Sequence, residues 1–229
     1  MTGRLPLMEH LAFIQWVHDR GIRINAHVGL QSDEDIRVLS PLFDKVSLDY
    51  VWDDDTIHEV YHLRHCSGAD YLHAAQSWLE GMWMDEQAKT LSAGDRTRAT
   101  ALAQARQRIN LHLTIGLKGG VVAGEYAAID SLVAFQPASL VFLILIPTEG
   151  TVYANAPLVP IRDVESIVQY ARQKLPETDL ILGCMHPRAA GYGRQLVDIA
   201  ERYRFRGVVN EKFAEGDVER VEECCVFHC

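Results

Sequence analysis

Polar residues stand at the ends of apolar runs in six places along this chain, and their types suit metal ligation, proton transfer and hydrogen bonding to a small polar ligand. They are His27, Ser47 with Asp49, His112 with Thr114, Thr148, Cys184 with His186 and Arg188, and Asn210 with Glu211. A polar side chain inside an apolar core costs about 2 kcal/mol or more unless it finds a partner, so their recurrence implies a ligand or a network that satisfies them. Taken singly, each has a plainer account. A lone histidine such as His27 or His112 is more often a hydrogen-bonded core residue than a ligand. Asp49 can cap the loop that follows it, and Cys184 alone reads as an inert buried thiol. His27, Asp49 and His186 are residue types that bind a divalent cation, as a metal-dependent aldolase or lyase would require. Cys224, Cys225 and Cys229, with His228, fall within the last six residues and offer thiolates to a metal or cluster. The plain account of that tail is a frayed, redox-exposed terminus.

These residues share a site only if the elements beneath them run in parallel. The run 140–146 is seven apolar residues ending at Pro147, too short for a membrane span and lacking a helical polar face, which describes a strand buried on both sides. Further strands are expected at 23–29, 45–51, 109–117, 180–188 and 207–210. Helical periodicity covers 5–20, 32–42, 55–63, 124–134 and 195–203, with Ser32 as a capping residue, and a further helix starts at Pro160 with Val164, Ile167, Val168 and Ala171 on one face. Residues 66–108 hold two more helical patterns, 70–83 and 96–108, separated by a polar stretch at 89–95. The alternation is that of an α/β protein with a parallel sheet: a partial or truncated TIM-type (β/α) barrel of six strands with an inserted helical segment. In such folds ligands bind beyond the carboxyl ends of the strands.

The chain has 229 residues, a formal net charge of -9 and no basic run, which excludes nucleic acid as its main partner. No stretch approaches the ~20 apolar residues of a membrane span, and no signal-peptide core opens the chain, so a cytoplasmic location is expected. Five cysteines do not form a secreted disulfide framework. Gly116, Gly119 and Gly120 suggest a phosphate loop, but neither GxGxxG nor GxxxxGK surrounds them, and a tight turn accounts for them equally well.

Together, INAHVGL (24–30), VSLDYVWDDDTIHEVYHL (46–63), LHLTIGLKGG (111–120), LILIPTEGT (143–151) and LGCMHPR (182–188) resemble the radical SAM superfamily, in its biotin synthase and lipoyl synthase-like branch. The resemblance runs from residue 4 to about residue 212. It implies S-adenosylmethionine as cofactor, with Ser47 and Asp49 toward the ribose, Thr114 and Gly116 supporting the adenosyl group, and Ile146, Thr148, Gly150 and Thr151 on the adenine side. The acidic member of the fifth-strand motif is replaced by Gly119. His27, His112, Cys184, His186, Arg188 and Asn210 would form the substrate face, with Cys184 near the deep end of the barrel.

The CxxxCxxC that holds the family's 4Fe-4S cluster is absent, as is its GGE motif. The expected organisation is a partial barrel over 1–212, with a helical excursion at 66–108, and a Cys-rich tail over 213–229. The expected function is generation or use of a 5'-deoxyadenosyl radical in sulfur insertion or related lipoate- or biotin-type cofactor synthesis. The substrate would be a small molecule or a carrier-bound acyl chain, and an N-terminal complementing fragment or sister subunit would supply the cluster. The alternative is a non-catalytic truncated barrel acting as a binding or scaffold subunit.

Overall fold

The computed structural model describes residues 3–93, 98–209 and 227, with backbone alone at 90–93 and 190. Six strands, β1 (Asn25–His27), β2 (Lys45–Asp49), β3 (Ile109–Ile115), β4 (Ser139–Ile144), β5 (Asp179–Leu182) and β6 (Gly207–Val208), form one sheet in chain order. Every neighbouring pair is parallel. Right-handed crossovers that always step to the next strand lay their helices on one face, which is the winding of a (β/α) barrel. Among the described residues the sheet does not close; β1 and β6 are its edges.

The helices are α1 (Leu11–His18), α2 (Asp33–Leu39), α3 (Asp54–Val60), α4 (Gly68–Ala93), α5 (Arg98–Gln107), α6 (Glu125–Leu132), α7 (Ile161–Lys174) and α8 (Ala190–Arg202). Ser32 caps α2 by accepting from the Asp35 backbone N–H, and Asp53 caps α3 through Thr56. No helix among the described residues is long and apolar enough to cross a membrane.

The strands alternate where a parallel strand covered on both sides would run uniformly apolar. Val46 and Leu48, then Ile109, Leu111, Leu113 and Ile115, lie in the core that the helices cover. The residues between them, Ser47, Asp49, Asn110, His112 and Thr114, present the opposite face. Burying each Val, Leu or Ile is worth about 1.5–3 kcal/mol, so a one-residue slip that put Ser47 and Asp49 beneath the helices is strongly disfavoured. The apolar rungs therefore decide which residues face the site.

Several elements differ from the sequence expectation. The strands expected at 23–29, 45–51, 109–117, 180–188 and 207–210 are shorter. The polar stretch at 89–95 does not separate the two inserted helices where expected, because α4 continues to Ala93. Lys89, Leu91 and Ala93 are good helix formers, and Lys89 pairs with Asp85 one turn back at 2.6 Å. Arg108, just before β3, ties this excursion to the sheet. Its guanidinium donates to Asp85 and Glu86 of α4 and to the carbonyls of Ser40 and Phe43 ahead of β2.

Candidate functional site

The polar face of the sheet has two levels. At the amino-terminal level the side chains satisfy one another. Ser47 donates to Asn25 Oδ1 at 3.1 Å, Ser139 donates to Asn110 Oδ1 at 3.0 Å, and Asn110 reaches the Val46 carbonyl at 3.4 Å. Closer to the carboxyl ends they do not. There His27, Asp49 and His112, from three adjacent strands, bring one ligating atom each to within 4.8 Å of one another. The His27 and His112 rings meet edge to face with centroids 5.2 Å apart. His112 Nδ1 stands 3.9 Å from Asp49 Oδ1, beyond hydrogen-bond reach. His112 is only 7% exposed, and its Nε2 is buried without a partner.

Position in the sheet produces this cluster. His27 ends β1 and Asp49 ends β2, while His112 lies in mid-β3, directly in register with Asp49. Burial pushes the His112 imidazole down to about 4, with the His27 ring adding to the effect, so His112 is neutral at ordinary pH. Burial also raises the Asp49 carboxyl above its usual range, opposed by His27 and by the Tyr61 hydroxyl, which donates to Asp49 Oδ2 at 3.3 Å. Tyr61 and Tyr71 are both raised, first by burial and then by the nearby Asp49 charge.

His27, Ser47 and Asp49 open into a cleft of about 550 Å³, whose other walls include Leu30, Tyr61 and Tyr71. Its polar end and aromatic and aliphatic flank suit a ligand with one hydrophilic and one flat apolar part. A second cleft of about 650 Å³ lies around Asp53–Asp55 and residues 67–69. Two of its carboxylates are already engaged as caps, Asp53 with Thr56 and Asp54 with the Gly68 backbone N–H at 2.9 Å.

The other residues singled out from the sequence fall in different places. Gly116 follows β3 with φ +72, and its N–H donates to Glu125 Oε1 at 2.7 Å. Thr114 lies two residues past His112, on the same face of β3. Ile146, Thr148, Gly150 and Thr151 follow β4 in a loop on the same edge of the sheet, outside the walls of the 550 Å³ cleft. There Thr148 and Thr151 hydroxyls donate to backbone carbonyls of the loop itself.

Cys184, His186 and Arg188 lie beyond the end of β5, not within a strand. Cys184 is exposed, which corrects its expected place deep in the barrel. His186 is buried, with Nδ1 2.7 Å from the Gly183 carbonyl. It therefore does not join His27 and Asp49; His112 takes that position. Asn210, Glu211, Cys224, Cys225, His228 and Cys229 lie outside the described residues.

Tyr61 and Tyr71 escaped the sequence reading because they belong to helical segments, and no spacing rule links them to Asp49. No HExxH is expected from the sequence reading, yet His58-Glu59-Val60-Tyr61-His62 has that spacing, the one found in zinc peptidases. That motif needs both histidines on one helix face. Here α3 ends at Val60, His62 has φ +57, and His58 Nε2 lies 3.0 Å from the Cys66 carbonyl.

No protein-family model matches the chain. No curated protein matches it either. Among solved structures, it is similar to the crystal structure of HydG, a maturase of the FeFe hydrogenase, at 15% identity and a TM-score of 0.49. The similarity covers 89% of this chain and 42% of that one, so this chain spans less than half the length of that relative.

Proposed function

We propose that this chain is the adenosyl-binding part of a radical SAM-type protein, with S-adenosylmethionine seated in the cleft beside Asp49. The observation that carries the reading is Asp49 itself: a half-exposed carboxylate at the end of β2, held by Tyr61 and flanked by an apolar wall. A carboxylate at that point accepts hydrogen bonds from a ribose diol, while Tyr61, Tyr71 and Leu30 offer a flat apolar surface to a purine. Ser47 on the same face is engaged with Asn25, so its role is to brace β1 against β2. The motif resemblance assigns Asp49 to the ribose of the same ligand, whereas its adenine-side residues, Ile146, Thr148, Gly150 and Thr151, lie outside this cleft.

S-adenosylmethionine supplies a sulfonium whose carbon–sulfur bond is cleaved reductively when an iron–sulfur cluster delivers an electron. The described cysteines, Cys66 and Cys184, follow α3 and β5 respectively. Two thiols so placed do not make the three-thiolate set that a 4Fe-4S cluster requires, so no step is derived through one. The residues present bind and orient the adenosyl group. Cluster thiolates would come from an N-terminal complementing fragment or sister subunit, on the side of the β1 edge, where no further strand pairs among the described residues. Exposed Phe13 and Trp16 on α1, which leads into β1, suit such a partner, and sedimentation of the chain with that partner tests the contact. The substrate class is a small molecule or a carrier-bound acyl chain, processed by sulfur insertion or a related cofactor-building step. Without a cluster-bearing partner the chain acts as a binding subunit.

Calorimetric titration with S-adenosylmethionine and S-adenosylhomocysteine, in chelator, tests the reading. The expected result is binding of both, weakened about tenfold or more in Asp49→Asn. No binding of either at millimolar ligand overturns it.

A further inference from the structure

The geometry points to a divalent transition-metal site formed by His27, Asp49 and His112. Two imidazoles and one carboxylate on three adjacent strands form a three-residue donor set that leaves further coordination positions open. Their ligating atoms lie within 4.8 Å of one another. On a metal with bonds of 2.0–2.2 Å, neighbouring donors stand about 3.0–3.4 Å apart, so side-chain rotations closing at most about 1.4–1.8 Å would seat the ion.

A second observation points to a ligand independently of the donor types. His112 is 7% exposed, Nε2 is buried without a partner, and Nδ1 is 3.9 Å from Asp49, so neither ring nitrogen makes a hydrogen bond among the described residues. Buried polar atoms are nearly always satisfied, and an unsatisfied one costs about 1–3 kcal/mol. The neighbouring level of the same sheet shows that this face can satisfy its polar groups when nothing else must bind: Asn25, Ser47, Asn110 and Ser139 pair among themselves. The cluster is also partly organised in advance. Tyr61 occupies Asp49 Oδ2, which leaves Oδ1 toward His112. Imidazole nitrogen with a single carboxylate selects a borderline cation such as Zn²⁺, Co²⁺ or Fe²⁺ over Mg²⁺ or Ca²⁺. The cleft beside it gives access from solvent.

The inference shares Asp49 with the adenosyl reading, but the two are tested separately: the cation is assayed with no nucleotide present and the nucleotide in chelator. Either can fail alone. The full chain, stripped with chelator, is titrated with Co²⁺ and with Zn²⁺. The Cys-rich tail is a competing source of ligands, so the same titration is run with Cys224, Cys225 and Cys229 all changed to Ser. The expected result is one ion per chain in both proteins, with visible Co²⁺ bands of nitrogen and oxygen coordination and no thiolate charge-transfer band. His27→Ala and His112→Gln should each weaken binding about tenfold or more, while Mg²⁺ does not compete. His27 is exposed, so His27→Ala keeps the test valid even if the buried His112 variant folds poorly. Absence of stoichiometric binding, loss of binding in the triple Ser protein, or unchanged affinity in His27→Ala overturns the assignment.

Discussion

The Tyr61 hydroxyl donates to Asp49 Oδ2 at 3.3 Å, joining the end of α3 to the end of β2 and holding the carboxylate with its other oxygen toward His112. Tyr61→Phe removes that orientation without removing the wall. S-adenosylmethionine affinity should fall by about 0.5–1.5 kcal/mol, roughly two- to twelve-fold, a smaller loss than in Asp49→Asn. Titration of both variants under one buffer decides it; equal losses would mean that Tyr61 does more than orient Asp49.

His112 is held in the fold at the expense of an unsatisfied Nε2. Replacing the imidazole with an apolar side chain of similar volume should therefore stabilise the metal-free protein. His112→Leu is expected to gain about 1–2 kcal/mol, read as a higher urea midpoint with an unchanged slope. A lower midpoint would mean that the imidazole contributes a bond to the fold itself.

Arg108 is the reverse case, a buried cation whose bonds close a structural joint. Its side chain is 11% exposed, and Asp85 and Glu86 beside it are 10% and 12% exposed. Arg108→Ala leaves the shielded Asp85 and Glu86 with Lys89 and frees the Ser40 and Phe43 carbonyls, for an expected loss of about 2 kcal/mol or more in urea unfolding. Arg108→Lys keeps the charge without the planar fork and should recover only part of that loss.

Gly116 and Gly21 both have positive φ, at +72 and +68, yet their surroundings differ. A Cβ at Gly116 would fall 2.2 Å from Val159 Cγ2, whereas at Gly21 nothing lies within 4 Å. Gly21→Ala should cost about 1 kcal/mol, the conformational penalty alone. Gly116→Ala adds displacement of Val159 and of the loop that Glu125 clamps, so a loss of more than about 2 kcal/mol is expected. Thermal melts of the pair make the comparison, and equal shifts would rule out the steric contribution.

Sequence pattern alone specified the parallel α/β alternation, the helix cap at Ser32, and the alternation that puts Ser47, Asp49, His112 and Thr114 on one face of the sheet. That last item was legible because a strand turns every second side chain to one side, so Val46-Ser47-Leu48-Asp49 and the run 109–115 sort their polar members without any knowledge of neighbours. Tertiary structure decided which of those residues meet. His186 had the right chemistry to join His27 and Asp49, but β5 ends at Leu182 and the chain turns His186 onto the Gly183 carbonyl, while register sets His112 opposite Asp49. Tyr61 reaches Asp49 because α3 stops at Val60 and returns the chain toward the strand ends. Strand length, register and the point where a helix stops depend on packing between elements far apart in the chain, and local spacing does not encode that packing.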